Sequence, residues 1–155
     1  MSAGSDLGLV DVHLIGFPIP VFQRAQEHSD ALMREFSLIL LSEDHDVPRR
    51  LLALIEELGD QYTQLTLETD RKRDEALERG EQTVDLTYRV PAEVAPAARH
   101  LGELFDEADA FCRSGEHLLT MASTPEVVRF RRWFLDQFVE QSGGKPPVAW
   151  RDYRL

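Results

Sequence analysis

His28 is the residue whose type and position most directly suggest covalent chemistry. It lies in the helical pattern QEHSDALMREF, and an exposed histidine on a helix can carry a phosphoryl group as a nucleophile. The neighbouring acids Glu27 and Asp30 would repel an incoming phosphoryl group. His28 is therefore a candidate phosphoacceptor, while a solvated histidine, or one paired with a carboxylate, is the simpler interpretation.

Residues 106–109 spell DEAD, the letters of a helicase motif. That motif works with a parallel sheet and a glycine-rich phosphate loop that ends in Gly-Lys-Ser/Thr. The Gly-Gly-Lys run of this chain ends at Lys145, continues into Pro146, and follows a predicted helix instead of opening one. The sequence thus gives no support for nucleotide hydrolysis.

An acidic cluster on the third predicted helix is the remaining candidate for metal binding. Metal sites between helices favour Glu-x-x-His pairs, because positions i and i+3 face one ion. The five histidines form no such pair. We interpret the cluster as a solvated outer helix face and predict no metal and no cofactor. Its members are Glu103, Asp106, Glu107 and Asp109.

Cys112 lies on the apolar stripe of the same predicted helix. A nucleophilic thiolate needs a nearby cation and access to solvent. A small buried hydrophobe is the better interpretation of a cysteine at this position. No residue is thereby assigned to catalysis, and we predict that the protein is not an enzyme.

Arginine and aromatic side chains are concentrated near the end of the acidic chain. Tyr, Trp and Arg dominate the energetics of protein interfaces, so these residues are candidates for partner binding. In the alternative interpretation the arginines pair with acidic faces of the second and third helices, and Trp150 fixes the tail to the helices. The group consists of Arg129, Arg131, Arg132, Trp133, Trp150, Arg151, Tyr153 and Arg154.

Four segments repeat apolar residues at alternating steps of three and four, which predicts four amphipathic helices. The charged end of the second, residues 68–81, is expected to be a solvated helix end. A short buried connection is expected at Leu118, Leu119 and Met121. The helices are predicted from about Pro20 to Leu41, from Pro48 to Gly80, from Pro91 or Pro96 to Gly115, and from a cap at Ser123 or Thr124 to Gly143.

Two short segments, Val10–Leu14 and Thr83–Val90, alternate with the period of a strand. They are predicted to pair with each other or to lie across the helices. Gly16 is expected to end the first strand, and prolines then redirect the chain into the first helix. The predicted fold is mainly α: a four-helix bundle-like single domain with one or two short strands, and with flexible or docked tails at 1–8 and 143–155.

The length of 155 residues is typical of one domain. The formal charge of -11 repels nucleic acid phosphates and anionic lipid, so neither is an expected partner. A lone cysteine and the absence of a signal-like segment indicate a cytoplasmic protein. The longest apolar run, Leu38–Leu41, is far shorter than the ~20 residues of a membrane span.

Four stretches of the chain resemble a group of uncharacterised small helical proteins of actinobacteria, over about Val10 to Trp150. They are HLIGFPIPVFQRAQEHSDALMREFSLI, RGEQTVDLTYRVP, LFDEADAFC and STPEVVRFRRWFLDQFVEQ. Members of that group are often encoded beside ATP-binding anti-sigma-type kinases and STAS-domain proteins, the components of partner-switching regulation. The resemblance implies a regulatory association and assigns no site residues.

Together these observations predict a non-enzymatic protein-interaction or regulatory module with another protein as its partner. The resemblance implies a place in partner-switching sigma-factor signalling, with an anti-sigma-type regulator as that partner. A second contact surface is the edge of Val10–Leu14, which could lend a strand to another sheet. The alternatives are a histidine phosphotransfer-like bundle that uses His28 and a structural homodimer.

Overall fold

Four helices and a two-stranded antiparallel sheet form the part of the chain that the computed structural model describes, residues 8–114 and 122–155. Of the residues described, 70% are helical, which confirms the mainly α prediction. The elements follow in the order β1 (Leu9–Pro18), α1 (Ile19–Ser42), α2 (Asp46–Glu78), β2 (Thr83–Pro91), α3 (Val94–Ser114), α4 (Pro125–Ser142) and a 3₁₀ turn, Trp150–Asp152.

The helix boundaries follow the capping and proline signals of the sequence. Pro20 lies in the first turn of α1, where its missing N–H costs no hydrogen bond. Thr124 caps α4, because its Oγ1 accepts a hydrogen bond of 3.3 Å from the backbone N–H of Val127. No helix in the described part of the chain is long and apolar enough to cross a membrane. The connection predicted at Leu118, Leu119 and Met121 lies outside the described residues.

β1 continues past Gly16, so the prediction that this glycine ends the strand is wrong. Gly16 has a φ of +67° and lies where the register slips between Leu14 and Phe17. Glycine adopts this left-handed conformation at no steric cost, and the extra residue makes a bulge instead of a break. The side chain of Asp85 on β2 supports the bulge by accepting a 2.8 Å hydrogen bond from the Gly16 amide. The two predicted strands do pair with each other.

The last turns of α2 cover the outer edge of β2. Thr69 Oγ1 donates to the carbonyl of Thr87 at 2.7 Å, and Lys72 Nζ donates to the carbonyl of Asp85 at 3.0 Å. Most of residues 68–81 are exposed, as predicted for a solvated helix end, but Ala76, one turn beyond Lys72, is buried. On this side of α2 the polar side chains also replace the missing neighbour of an edge strand.

The core consists of two apolar clusters. One lies between the inner face of the sheet, the start of α1 and α4, and its largest members are Trp133 and Phe17. The other joins the remainder of α1 to α2 and α3 around Phe36 and Leu104. α4 packs against the sheet, α1 and α3, so it contacts both sides of the molecule and positions most of the candidate site residues.

Candidate functional site

Three arginines of α4 lie in three different environments. Successive helix residues are turned by about 100° around the axis, so Arg129 and Arg131 emerge on nearly opposite sides. Arg129 contacts the C-terminal tail. Arg131 lies between α4 and α3 with its side chain 11% exposed, whereas that of Arg132 is 49% exposed.

A partly buried polar cluster surrounds Arg131. It consists of His28, Asp109, Ser123 and Arg131, and we call it the His28 cluster. Arg131 Nη2 lies 3.0 Å from Asp109 Oδ2 and 3.0 Å from Asp106 Oδ1. Asp109 is 5% exposed, so its prediction as part of a solvated face is wrong. Arg131 on α4 offsets the cost of burying this carboxylate, and the sequence around Asp109 gives no sign of such a partner.

The carboxylate of Asp109 is held in its charged form. Burial acts to raise its pKa, but hydrogen bonds from the backbone and side chain of Ser123 and the charge of Arg131 outweigh burial and hold the pKa below its usual value. The Ser123 amide donates to Asp109 Oδ1 at 2.9 Å. Asp109 therefore joins α3 to the residues that precede α4.

The hydroxyl of Ser123 shows that Nε2 of His28 carries a proton. Ser123 Oγ lies 2.8 Å from Asp109 Oδ1, 3.1 Å from Arg131 Nη1 and 3.2 Å from His28 Nε2. A carboxylate only accepts and a guanidinium only donates, so the serine proton points to Asp109 and His28 Nε2–H donates to the serine. Burial is the largest influence and lowers the pKa of His28; the charge of Asp109 acts to raise this pKa and that of Arg131 to lower it, and the pKa stays below its usual value. The cluster thus contains a neutral imidazole.

This arrangement differs from a hydrolytic triad. In a triad the histidine accepts the serine proton and the carboxylate orients the histidine. Here the carboxylate of Asp109 accepts from Ser123, and His28 donates to that serine. Nucleophilic use of Ser123 would require the hydrogen bonds of the cluster to rearrange, so the geometry favours a structural role.

The C-terminal tail is docked on the other side of α4. Arg129 Nη2 donates to the carbonyls of Trp150 and Tyr153, both at 2.8 Å, and its guanidinium lies 3.8 Å from the centroid of the Trp150 ring. Tyr153 donates its hydroxyl proton to Asp136 at 2.6 Å. Burial and this carboxylate raise the pKa of Tyr153. These contacts agree with the interpretation in which Trp150 fixes the tail to the helices.

Glutamine side chains of α4 connect the tail to β1. Gln137 Oε1 accepts the amide of Val148 at 2.9 Å, and the buried Trp133 donates its indole N–H to the carbonyl of Val148 at 2.7 Å. Gln141 accepts from the His13 amide and donates to the His13 carbonyl, both at 2.8 Å, as a neighbouring strand would. The edge of β1 that was predicted to lend a strand is thus already occupied at His13.

Three residues of the predicted partner-binding group remain exposed: Arg132, Arg151 and Arg154, which we call the basic patch. Arg154 Nη1 donates to the carbonyls of Arg151 and Tyr153 at 3.1 Å. Arg132 is close enough to Tyr153 for its positive charge to oppose the rise in the pKa of that tyrosine. Arg151 and Arg154 therefore lie on the docked tail, and Arg132 lies beside it, with its Nη2 also 3.7 Å from Asp106 Oδ1 on α3. The other members are buried or half-buried and have partners within the chain: Arg129, Arg131, Trp133, Trp150 and Tyr153.

Cys112 and the acidic residues of α3 give little sign of chemistry. Cys112 is buried, and burial raises the pKa of its thiol to about 11, with smaller contributions from neighbouring charges. Within residues 8–114 and 122–155, no group of three or more His, Cys, Asp or Glu side chains could hold a metal ion. The contacts of Cys112 are those of an ordinary core residue.

An apolar cavity of about 230 Å³ lies beside the His28 cluster, and sequence reasoning missed it. Its walls come from four helices that are distant in the chain, so no local pattern indicates it. Both His28 and Arg131 are wall residues, and so is Arg73 of α2. The apolar walls include Phe22, Ala25, Leu101, Phe105, Val127, Phe130, Phe134 and Leu135.

Comparisons with known proteins add no assignment, since no protein-family model, no curated protein and no solved structure matches this chain. The function is therefore inferred from the contacts, burial and charges described above.

Proposed function

We propose that the chain is a non-enzymatic interaction and regulatory module that binds a partner protein through the basic patch. The observation that carries this proposal is the position of Arg132, Arg151 and Arg154, exposed together around a docked tail. They belong to a chain whose net charge is -11. A local positive surface on an acidic protein orients a partner, because it attracts acidic groups while the remaining surface repels them.

The docked tail supplies a rigid support for the patch. Hydrogen bonds from the Arg129 side chain to main-chain carbonyls of the tail, and contacts of Trp150 with the rings of Phe130 and Trp133, fix the tail before a partner arrives. A surface ordered in advance loses less conformational entropy when it binds. The partner chemistry that fits is an acidic segment or an acidic protein face.

The His28 cluster supports a non-enzymatic role. The hydroxyl of Ser123 has one proton donated to Asp109 and two lone pairs that accept from Arg131 and His28. Its hydrogen-bonding capacity is therefore used within the chain. Phosphotransfer through His28 is the weaker proposal, because Nε2 would have to leave Ser123 to receive a phosphoryl group.

We also infer a bundle-like scaffold, in the sense that α1 packs against α2 and α4 and that α3 packs against the same two helices. The place of the module in partner-switching sigma-factor signalling, with an anti-sigma-type regulator as the partner in the cytoplasm, depends on the resemblance of the four sequence stretches. A homodimer is the other alternative. The exposed Leu38 and Leu41 on α1 would be its natural contact.

The test is affinity capture with a charge-reversed patch. The variant Arg132→Glu, Arg151→Glu, Arg154→Glu should lose at least about tenfold of the partner captured by the wild-type protein from the native cell. Such a loss corresponds to about 1.4 kcal/mol of binding free energy. Circular dichroism and the unfolding midpoint should stay close to the wild-type values.

The matched control reverses three exposed arginines elsewhere, Arg71→Glu, Arg79→Glu and Arg99→Glu. It changes the net charge by the same amount and should retain the partner. Equal losses in both variants would show only an effect of net charge, and an undiminished capture by the patch variant would refute the proposal. Light scattering of the wild-type protein tests the homodimer separately.

A further inference from the structure

The basic patch is built from two separate parts of the chain. Arg132 lies on α4, whereas Arg151 and Arg154 lie on the tail, beyond the residue Gly143 that caps the end of α4. The positions of the two tail arginines relative to Arg132 are fixed by the contacts that dock the tail. The three charges are therefore together only while the tail lies on α4.

The tail is attached by a small number of contacts. Residues 143–148 are all exposed, so the first half of the tail buries little surface. The second half is held by the Trp150 ring, by the hydrogen bonds from Arg129 and by the hydroxyl of Tyr153. A segment with few buried contacts opens at a lower free energy cost than the whole protein. The docked and the released tail are thus two states of one folded chain.

Release of the tail would also change the surroundings of Arg132. Arg132 and Asp136 are at positions i and i+4 of α4, a spacing at which opposite charges attract each other. While the tail is docked, Asp136 Oδ2 accepts a hydrogen bond of 2.6 Å from the hydroxyl of Tyr153. Departure of Tyr153 leaves the Asp136 carboxylate free to pair with Arg132. Release thus removes two charges from the patch and allows the third to be compensated.

We propose that docking of the tail regulates the basic patch, because the three arginines form one site for an acidic segment only in the docked state. This inference rests on the proposed function and adds a control to it. Coupling between two binding equilibria is reciprocal, so a segment that binds all three arginines must also hold the tail on α4.

The first experiment measures this reciprocity in the wild-type protein with a defined probe, a hexaglutamate peptide with blocked ends. Fluorescence anisotropy of the labelled peptide gives its Kd. The reporter of docking is the backbone N–H of Val148, which donates to Gln137 Oε1 at 2.9 Å and lies outside the patch. At about three times the Kd, hydrogen exchange of this amide should slow about fourfold, since the probe binds only the docked state. Hexaglutamine, the neutral control, should leave exchange unchanged.

The outcome separates the regulation from the proposed function. Hexaglutamate that binds saturably without slowing the exchange of Val148 would overturn the regulation by the tail and leave the proposed function standing. Absence of saturable binding would refute the acidic partner chemistry of the proposed function, and the inference with it.

The variant Trp150→Ala tests the same coupling by releasing the tail. It keeps all three arginines and the net charge of -11, but it removes the ring contacts with Phe130 and Trp133. Exchange at Val148 should become faster, and the affinity for hexaglutamate should fall about tenfold, as in the charge-reversed patch variant. Leu155→Ala, at an exposed position of the tail, should change neither.

A released tail with undiminished affinity for hexaglutamate would overturn the inference alone, provided that the charge-reversed patch variant loses the probe. If Trp150→Ala fails to fold or keeps its tail docked, the exchange measured with the wild-type protein decides.

Discussion

Arg129 and Arg131 are two residues apart on α4, yet the two sides of the helix use an arginine differently. Arg131 lies between carboxylates, one of which, Asp109, is buried, and it completes a network with Ser123. Arg129 donates to neutral main-chain carbonyls and covers an aromatic ring. The first side holds a charge pair inside the protein, while the second side holds the chain terminus on its surface. We therefore expect the two sides to differ in stability and in function.

Removing Arg131 should have the largest effect. In Arg131→Ala the carboxylate of Asp109 stays buried without its cation, and breaking such a pair costs about 3–5 kcal/mol. We expect a loss of this size in the free energy of unfolding, measured by urea denaturation. Arg132→Ala, at an exposed position, should change stability by less than about 1 kcal/mol. Similar losses in the two variants would remove the distinction between buried and exposed arginines on α4.

Removing Trp150 should have an intermediate effect. Trp150→Ala removes the ring contacts with Phe130 and Trp133 and the stacking of the Arg129 guanidinium on the indole. For a half-buried ring, we expect the free energy of unfolding to fall by about 2 kcal/mol. The tail should then become a substrate for carboxypeptidase under conditions in which the wild-type protein is resistant. Leu155→Ala, at an exposed position, is the control. A Trp150→Ala protein that keeps its stability and its resistance would show that the tail is not held by these contacts.

The smallest expected effect is the pH dependence contributed by His28. Its folded-state pKa lies below the ordinary value of 6.5, so the unfolded chain binds the proton more readily. Stability from this residue is therefore complete above pH 6.5 and is lost as the pH falls towards the folded-state pKa. His28→Gln keeps a donor for Ser123 and does not titrate. Between pH 7.5 and pH 5.5 the wild-type protein should lose more unfolding free energy than the variant. A difference that stays constant with pH would contradict the lowered pKa of His28.

Local signals in the sequence account for most of the secondary structure. Apolar residues at steps of three and four predict all four helices, since an amphipathic helix has to bury one face. The proline near the start of α1 and the threonine cap of α4 place two of the boundaries within about two residues. The alternation in Thr83–Val90 also suffices to predict β2. These are properties of neighbouring residues, so they can be seen without the tertiary structure.

The errors and omissions all involve partners that are distant in the sequence. Asp109 belongs to an acidic run, and only the approach of α4 reveals that it is buried with Arg131. Thr69 and Lys72 lie in a charged helix end, and only the position of β2 shows what they bind. Gly16 interrupts the alternation of β1, but its partner Asp85 lies 69 residues away. The apolar cavity depends on four helices at once, and no single segment predicts it.

The most direct test of the account compares both sides of α4 in one capture experiment from the native cell. The two baits are the charge-reversed basic patch and Ser123→Ala, which removes the hydroxyl that connects His28, Asp109 and Arg131. We predict that the partner is lost with the patch variant and retained with Ser123→Ala. Retention with the patch variant together with loss from a folded Ser123→Ala protein would place the function in the His28 cluster and contradict the account.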